Sequence, residues 1–580
     1  MYLRSPSFSL FLYSEVMIFI MKIYRRVAAV LTAAAVLTLF AAGCSFMKGS
    51  DDGTVSLTVY DQSSMFSGEM SGWFAEVLKD RLNVKLNFRT SSEEGFNAYV
   101  EAGTLGDIIV FNNESSYRTA KDAGLLIDWE QSGLLQNHGQ YINENYQEAL
   151  EKNRQLDSEN RLYGIYGNIC KGTDGHEDFY NCFYIRWDLY SKLGYPEINT
   201  LEDFEPLLAD MVKLASEDSE STIYGISAFS TWDSTMLDIV RSTAALYGYT
   251  DFGFGMYNHA TGAYEPCIDE DGIYVRCLKF YNSLYRAGLL DPSSESQNYT
   301  IAQKDYGSGK AVMGMYKYIT DPYNTTARLS KGKYMVPIAA KDFCSIADEY
   351  SPYGHNAIWS ISSTCKNPEL AMQLINWLYT PEGVLTNLYG PQDVSWSYDD
   401  SGMPYITEFG YSCLNDDSTL MPEGYTGAYN TGYSMFGSMC LSPDSALDTA
   451  GNTYNLLTWE SVKNSGWYSE NTGSFEEAIS DWKEHTGADD TDEYIESNGF
   501  TVLPASSFVP DELPSELFLT SSELCGDICT NSWLAIYAQT DEEFDSVIKK
   551  MQETCTSRAA YNDIMKFYGD MIEKYKESVN

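Results

Sequence analysis

The sequence predicts an α/β fold, because short strand-like runs alternate with amphipathic helical segments along its first part. Runs rich in β-branched and aromatic residues at 56–60, 84–88 and 107–111 indicate strands. The last run, DIIVF, is apolar after its first residue, which is typical of a strand buried on both faces. This alternation, with a further helix near 96–102, predicts βαβ units on a largely parallel sheet. Between the first two runs, spacings of three and four mark the apolar face of a helix, formed by Trp73, Phe74, Val77, Leu78 and Leu82.

The ends of the predicted strands carry polar residues that are candidates for ligand contact. In open parallel sheets, ligands bind beyond the carboxyl ends of the strands. This rule selects Asp61, which follows Tyr60, and the pair Asn112 and Asn113. The alternative for the two asparagines is ordinary turn chemistry, which also favours this residue type after a strand.

A second α/β block begins near 181–190, with the run NCFYIRWDLY. Thr200 and Asp203 form a capping-box pair that opens a helix. The next predicted strand, IYGISAF at 223–229, leads into Trp232 and Asp233. We interpret Trp232 as a stacking platform for a ligand and Asp233 as an acceptor for ligand hydroxyls; the alternative is that Trp232 only covers a core.

The rest of the chain is predicted to be helical at four places. These segments are 275–290, 369–379 after the cap Asn367-Pro368, 541–553 and 558–576. Between about 390 and 520 the pattern loosens into sequence rich in Gly, Ser, Asp and Tyr, and no internal repeat is detectable.

The stretch Met21–Cys44 has the order of a bacterial lipoprotein signal. A positive region with Lys22 and two arginines precedes an apolar run at 27–40 and the small residues Ala41-Ala42-Gly43. The end resembles a lipobox, apart from Ala41 where Leu is usual, and it predicts lipidation of Cys44 followed by a linker at 44–53. The alternative is an uncleaved anchor helix, whose apolar run is short for a membrane span. Residues 1–20 precede this complete signal, which favours translation from Met17 or Met21 over a hairpin anchor.

The charge balance excludes several kinds of partner. Without residues 1–43 the chain has 34 basic and 81 acidic residues, a net charge of −47. Such a charge repels phosphate backbones and anionic lipid surfaces, so nucleic-acid binding and flat attachment to a membrane are disfavoured. The 537 remaining residues predict two or more domains, and 44% apolar with 21% charged residues indicates a globular protein.

Twelve cysteines in 580 residues are too sparse for a disulfide scaffold. No CxxC motif occurs, and Cys525 and Cys529 have no nearby histidine, which argues against zinc. We expect most thiols to be small buried side chains; the alternative is disulfide bonding, with Cys170 and Cys182 as the first pair to examine.

Aromatic residues make up 14% of the chain, with 45 tyrosines and 11 tryptophans against five histidines. Aromatic faces pack against the C–H faces of sugar rings while polar side chains bind the hydroxyls. The composition therefore favours a carbohydrate ligand, and the alternative is a bias that simply fills cores and surfaces with tyrosine.

Four segments in order resemble the extracellular solute-binding proteins of family 1, the lipoprotein receptors of ATP-driven carbohydrate importers, in their larger Gram-positive branch. They are YIRWDLYSKLGYPEINTLEDF (184–204), FYNSLYRAGLLDP (280–292), SGKAVMGM (308–315) and ISSTCKNPELAMQLINWLYTPEG (361–383). The resemblance implies a two-lobed fold of the type II periplasmic-binding-protein kind, each lobe a mostly parallel sheet flanked by helices, with the ligand cleft between the lobes.

The same resemblance implies how the lobes divide and what they contact. We place the N-terminal lobe at 54–175 and 340–390 and the C-terminal lobe at 176–339 and 391–580, with crossings near 165–182, 335–342 and 385–400. Closure on a ligand is a two-state equilibrium that contacts on both lobes bias. The implied partners are an oligosaccharide, the importer permeases and, through Cys44, the outer face of the membrane; the implied state is a monomer without cofactor or metal.

Three further residues are candidate ligand contacts. Tyr316 follows the SGKAVMGM run, and Arg186 could bind sugar hydroxyls, although RWDLY also fits a strand end with Asp188 as a helix N-cap. Trp396 ends the stretch GPQDVSW at 390–396, where this branch often has a Gly-Glu-Gly turn before its aromatic residue. The turn sequence here departs from the family pattern, so the resemblance does not by itself assign Trp396 to the ligand.

Catalytic signatures are absent from the sequence. There is no HExxH, GxSxG or Walker A motif, and the five histidines lack metal spacing. The acidic runs at 268–272 and 488–493 match no EF-hand pattern, so solvated loops are expected. Glycosidases act through a pair of carboxylates, and such pairs are inevitable by chance among 81 acidic residues. The hydrolase alternative therefore stays open. The function predicted is oligosaccharide capture for an importer, and the alternatives are a secreted glycan-active hydrolase or a sugar sensor or adhesion protein on the same fold.

Overall fold

The computed structural model describes residues 53–90, 93–172, 175–176, 181–217, 219–447, 453–456, 473–488, 493–494 and 497–579. The predicted signal at 1–43, Cys44 and nearly all of the predicted linker lie outside these residues. In the part of the chain that is described, no helix combines the length and the apolar character that a membrane span requires.

The strands predicted at 56–60, 84–88 and 107–111 are confirmed within two residues at either end. The sixteen strands among the described residues are β1 Val55–Asp61, β2 Gly68–Glu69, β3 Val84–Arg89, β4 Ile108–Phe111, β5 Gly164–Tyr166, β6 Phe183–Arg186, β7 Tyr249–Phe252, β8 Gly255–Asn258, β9 Tyr264–Pro266, β10 Met313–Gly314, β11 Met335–Ile338, β12 Ile346–Asp348, β13 Ile358–Ile361, β14 Trp396–Tyr398, β15 Pro404–Ile406 and β16 Thr501–Leu503.

The predicted helices are also present, including the one opened by the capping box of Thr200 and Asp203. The α-helices of the described residues are α1 Trp73–Leu82, α2 Glu93–Ala102, α3 Glu114–Asp122, α4 Leu134–His138, α5 Gln140–Asn145, α6 Gln147–Arg154, α7 Trp187–Lys192, α8 Phe204–Glu217, α9 Asp238–Ala245, α10 Ile273–Arg286, α11 Tyr299–Ser308, α12 Lys317–Thr320, α13 Thr326–Leu329, α14 Pro368–Leu378, α15 Pro381–Tyr389, α16 Glu408–Asn415, α17 Gly473–Thr486, α18 Phe518–Ile536, α19 Asp541–Thr556 and α20 Tyr561–Val579.

By backbone proximity the chain divides into a small unit, 1–56 with 78–85, and a large unit, 57–77 with 86–580. In the described part of the small unit, the Val55 N–H donates to the Asn83 carbonyl, and the Asn83 amide donates to the Gly53 carbonyl. The residue contacts described below join residues of the large unit.

The first sheet has six strands in the order β2-β3-β1-β4-β13-β5. β1 and β4 pair in parallel, with Val59 opposite Ile108, as the βαβ pattern predicts. β13 returns from far along the chain and runs antiparallel to both β4 and β5. The sheet is therefore mixed, and β4 is fully buried, as its apolar run indicated.

The second sheet differs from the parallel arrangement expected for it. Its order is β10-β6-β11, and β6 runs antiparallel to both neighbours, with Ile185 opposite Met313 and Val336. The segment 223–229, predicted as a strand, forms only single parallel bridges from Tyr224 and Ile226. Helices surround this sheet and form a continuous apolar core with it, from Phe183 to Phe343 and again from Ile479 to Ile564.

The stretch 429–441 packs on the first sheet, although the predicted boundary at 390 assigns it to the C-terminal lobe. Trp73 stacks on Tyr429 with ring centroids 5.9 Å apart and donates its indole N–H to the Tyr429 carbonyl at 3.0 Å. Phe436 packs against Trp359 of β13 at 4.8 Å. We therefore propose that the N-terminal lobe includes this stretch. Its aperiodic sequence gave no sign of this packing.

The eleven described cysteines form no disulfide. Seven of them are buried, which confirms that most are small core side chains. Cys170 and Cys182 are both buried, and neither forms a disulfide.

Asn282 joins α10 to the end of α18. Its side chain is buried, and its amide donates to the carbonyls of Ala535, Ile536 and Ala538 at 3.1, 2.9 and 2.7 Å. The last carbonyls of a helix have no partner within the helix, so this amide supplies hydrogen bonds to Ile536 and to Ala538 just beyond it, while Ala535 also accepts the Ala538 N–H at 3.2 Å.

We expect Asn282→Ala to lower the free energy of unfolding by about 2 kcal/mol, because buried carbonyls lose their donors. Asn282→Asp keeps the shape but places an acceptor against three carbonyls, so its loss should be larger. Thermal melting at pH 7.5 measures both. A melting temperature of Asn282→Asp equal to or above that of Asn282→Ala would contradict the capping role.

Candidate ligand-binding site

An aromatic surface lies beyond the end of β10, and Trp232 is its most exposed member. Trp232 is 38% exposed, whereas each of the other eight described tryptophans is at most 4% exposed. Its indole stacks on Tyr299 with centroids 5.2 Å apart and planes at 17°, while Phe229 meets it edge-on at 4.8 Å. Packing against Tyr299 and Phe229 thus fixes the indole, and part of the ring stays exposed to solvent.

Two more tyrosines complete this surface. Tyr316 and Tyr318 stack on each other at 5.2 Å with planes at 7°, and both rings lie about 6 Å from Trp232, at 6.1 and 6.0 Å. The Tyr316 side chain is only 5% exposed, and its hydroxyl donates to Asp238 Oδ2 at 2.5 Å. Tyr316 therefore supports the surface, while Tyr318 and Tyr299 are partly exposed. We call Trp232, Tyr299, Tyr316 and Tyr318 the aromatic platform.

Asp233 lies beside the platform with its carboxylate fixed from two sides. Oδ2 accepts the indole N–H of Trp533 and Oδ1 accepts the Asp238 backbone N–H, both at 2.9 Å. Burial raises the pKa of Asp233 to about 6. The neighbouring charges are Asp238 and Arg241, which form an ion pair at 2.8 Å.

Hydrogen bonds to the segment before α11 hold the loop that carries Trp232. Ser230 donates its backbone N–H to the Gln297 carbonyl and its hydroxyl to the Glu295 carbonyl. The Thr231 hydroxyl accepts the Tyr299 backbone N–H at 3.3 Å. Gln297 is buried and donates to the Ala228 carbonyl at 3.0 Å. These contacts bring Tyr299 behind Trp232.

The candidates of the first sheet lie together at the ends of β1 and β4. Asp61 is fully buried, and its carboxylate accepts the backbone N–H groups of Ser63, Ser64 and Gly437. Burial raises the pKa of Asp61, while these three hydrogen bonds lower it. Asp61 therefore connects the 429–441 stretch to β1, so its carboxylate stabilises the fold.

Asn112 and Asn113 are both exposed. Asn113 is the N-cap of α3, where its side chain accepts the Ser116 N–H at 2.8 Å, and it donates to the Asn112 side chain. The turn chemistry considered as the alternative is thus present at Asn113, whereas Asn112 takes no part in the cap.

Arg186 and Trp396 lie away from the platform. Arg186 ends β6 and is buried against Asp188, at 2.6 Å between Nη2 and Oδ2. Trp396 is fully buried, and its indole N–H donates to the Gly390 carbonyl at 2.9 Å. Neither presents a surface to a sugar in this structure.

The sequence did not single out Tyr299 or Tyr318. Tyr299 comes 67 positions after Trp232 and joins it only through the folded loop, so no local pattern marks the pair. The high tyrosine content was the one available signal.

A separate cavity of about 730 Å³ lies next to the segment between β12 and β13. It is lined by residues such as Lys152, Asp348, His355, Ser442 and Tyr575 and contains none of the predicted site residues. Among the described side chains, no three His, Cys, Asp or Glu residues gather in a way that could hold a metal ion.

The comparisons with known structures agree with this architecture. The chain is similar to an HMO-binding solute-binding protein associated with an ABC transporter of Bifidobacterium longum infantis (17% identity, TM-score 0.53, covering 90% of this chain and 99% of that one). It is also similar to FusA, an ABC-transporter substrate-binding protein of S. pneumoniae solved with kestose (15% identity, TM-score 0.59, covering 90% and 99%), and to the alginate-binding protein AlgQ2 (14% identity, TM-score 0.59, covering 90% and 98%). At such identities the likeness shows the fold, which is the two-lobed type II periplasmic-binding-protein fold.

No curated protein sequence matches the chain. The family model described as bacterial extracellular solute-binding protein matches residues 67–385, which is more than half of the chain. The order of the four family segments is thereby explained, and the family is one of binding proteins. The chain belongs to the bacterial extracellular solute-binding protein family.

Proposed function

We propose that this protein captures an oligosaccharide outside the cell and delivers it to an ABC importer. The observation that carries the proposal is the aromatic platform, whose exposed indole of Trp232 lies beside the fixed carboxylate of Asp233. Structures with the same fold are described as binding milk oligosaccharides, a fructan oligosaccharide and alginate, which supports a sugar as the ligand.

The chemistry of the platform suits a sugar ring. A pyranose or furanose presents C–H groups on one face, which pack on an indole, and hydroxyls around its edge, which need acceptors. The Trp232 indole supplies the first contact. Asp233, ionised at neutral pH, supplies an acceptor, and its two existing hydrogen bonds leave lone pairs for a hydroxyl.

In this proposal the sugar contacts the aromatic platform beside the second sheet and also residues at the end of the first sheet. Asn112, which is exposed and does not cap α3, is the candidate there. Ligand contacts with both lobes would bias the protein toward a closed form that the permeases distinguish from the open one.

We also propose that the protein works as a monomer on a lipid tether. The sequence at Met21–Cys44 supports diacylation of Cys44, which keeps a soluble receptor near its importer.

Trp232→Ala tests the platform. A panel of kestose, milk oligosaccharides and alginate oligosaccharides is first screened by thermal shift, and the best ligand is then titrated by calorimetry. Loss of a stacking indole should weaken its binding by about tenfold, because an aromatic contact contributes about 0.5–1.5 kcal/mol beyond the apolar area that it buries.

The matched control is Tyr405→Ala, which removes another exposed aromatic ring, 47% exposed, on β15. Its affinity should stay within about twofold of the unsubstituted protein. Equal affinity of Trp232→Ala and Tyr405→Ala would move the sugar site elsewhere, and a panel without any saturable shift would count against the sugar ligand itself.

Asp233 makes binding dependent on pH. Its pKa of about 6 means that the carboxylate is ionised above pH 6 and takes up a proton below it. A protonated carboxyl is a weaker acceptor, so affinity should fall as the pH is lowered from 7.5 to 5. Asp233→Asn, which cannot ionise, should bind more weakly at pH 7.5 and show little change over the same range; a pH slope retained in this variant would exclude Asp233 as its source.

The tether predicts a lipid on Cys44. Mass spectrometry of the N-terminal peptide should find a diacylglycerol on that thiol, and Cys44→Ser should release the protein into the medium, since the two acyl chains provide the anchoring. The control Cys525→Ser changes a thiol on α18 and should leave the protein with the cells. A Cys44→Ser protein that stays with the cells would contradict lipid anchoring.

A further inference from the structure

A second concave site lies at the opposite end of β6 from the aromatic platform. It is a pocket of about 370 Å³, within the range of roughly 300–1,000 Å³ that is usual for small-molecule sites. Among the described residues that line it, the charged ones are all cations, and none is Asp or Glu. They are Arg186, Lys192, Lys310, Arg328, Lys331 and Lys333.

This charge is the reverse of what the composition predicts. The whole chain has 82 acidic and 38 basic residues, so a random pocket would be lined mostly by carboxylates. The six cations come from separate parts of the chain, and only folding brings them together. We refer to them as the basic pocket.

The inner cations are already partly neutralised. Arg186 pairs with Asp188, and the Lys310 ammonium lies 2.8 Å from Asp291 Oδ2 and 2.9 Å from Asp305 Oδ2. These three carboxylates stand outside the lining and offset three of its six charges. The other cations of the lining add positive charge, which would attract a small anion.

Tyr323 gives the pocket a stiff wall. The guanidinium carbons of Arg186 and Arg328 lie 5.1 and 4.2 Å from the centre of its ring. Arg328 also donates to the carbonyls of Gly307 and Tyr323 at 2.8 and 3.0 Å. Because their positions are fixed by packing, these charges need little reorganisation to receive a ligand.

The outer lysines supply charge at the mouth. Lys192 and Lys331 are exposed, and no described carboxylate lies within ion-pair distance of either. Lys333 is partly buried beside the start of β11. The hydroxyl-bearing residues Ser219, Ser221 and Ser308 also line the pocket and add donors suited to an oxyanion.

We propose that the basic pocket binds a phosphate or sulfate group, either as the free dianion or as the ester of a small molecule. The fixed guanidinium groups and the mobile ammonium groups suit the several oxygens of such a group. A long polyanion is disfavoured, because the remaining chain is strongly acidic and would repel the parts outside the pocket.

This site goes beyond the proposed sugar site. The antiparallel register places Met335 beside Arg186 at one end of β6, whereas β10 continues to Tyr316 at the other end. An anion in the basic pocket would therefore bind independently of a sugar on the platform.

The test is calorimetric titration at 0.15 M NaCl, which screens weak surface attraction, with inorganic sulfate, inorganic phosphate and glucose 6-phosphate, and glucose as the neutral control. We expect the three anions to bind saturably at this pocket and glucose not to bind there. Tighter binding of glucose 6-phosphate than of phosphate would identify an ester as the ligand, and equal binding would identify the anion alone. Absence of saturable binding by all three anions would overturn the proposal.

The variant Lys331→Gln with Lys333→Gln should weaken anion binding by about tenfold or more, because it removes two charge-assisted contacts at the mouth. The matched control is Lys549→Gln with Lys550→Gln on α19, where two exposed lysines are changed and the net charge falls equally. An equal loss of anion affinity in the two variants would show that the effect comes from the overall net charge, and it would overturn the proposed site. Melting curves of both variants confirm that they are folded, and the titrations of the unsubstituted protein stand without them.

The pH profile separates ligand charge from protein charge. Lysine and arginine stay protonated throughout pH 5–8, and sulfate stays a dianion, whereas a phosphate ester has its second pKa near roughly 6. Binding of glucose 6-phosphate should therefore weaken from pH 7.5 to 5, while binding of sulfate stays constant. A parallel loss for sulfate would contradict a pocket made of permanent cations.

Discussion

The antiparallel register of β6 against β10 and β11 determines which residues of the second sheet can share a site. β10 and β11 each begin at one end of β6 and end at the other. The residues before β10 and the residues after it therefore lie at opposite ends of β6. Lys310 precedes β10 and joins Arg186, whereas Tyr316 follows β10 and joins Trp232. Aromatic chemistry and cationic chemistry are thereby kept apart on one small sheet.

This separation matters because the chain is so acidic. A neutral sugar experiences little of the protein's net charge, so an aromatic surface with one or two carboxylates binds it without an electrostatic penalty. An anion needs the opposite environment, which the six converging cations provide. Asp188, Asp291 and Asp305 lie behind these cations and limit their mutual repulsion, which allows the cluster to exist in the folded state.

Local features were predictable from the sequence, and long-range ones were not. The capping box at Thr200, the buried run of β4 and the position of Trp232 after 223–229 depend on neighbouring residues, which a pattern records. The partners of Trp232, the attachment of 429–441 to the first sheet and the gathering of the basic pocket depend on contacts between distant segments without periodicity. Arg186 illustrates the limit: its residue type suggested ligand binding, but only the register shows at which end of the sheet it lies.

The way Trp232 is held bears directly on affinity. An exposed indole that is free to rotate would lose conformational entropy when a ligand stacks on it, and this loss would reduce the gain from contact. Here Tyr299 lies flat against one face of the indole, Phe229 lies against its edge, and Ser230 is bonded to the segment that carries Tyr299. The ring is therefore ordered before a ligand arrives, and its open face can contribute most of its contact energy to binding. The same packing explains why such a large apolar side chain tolerates exposure to water: one face is already buried, so only the face that a sugar would cover remains.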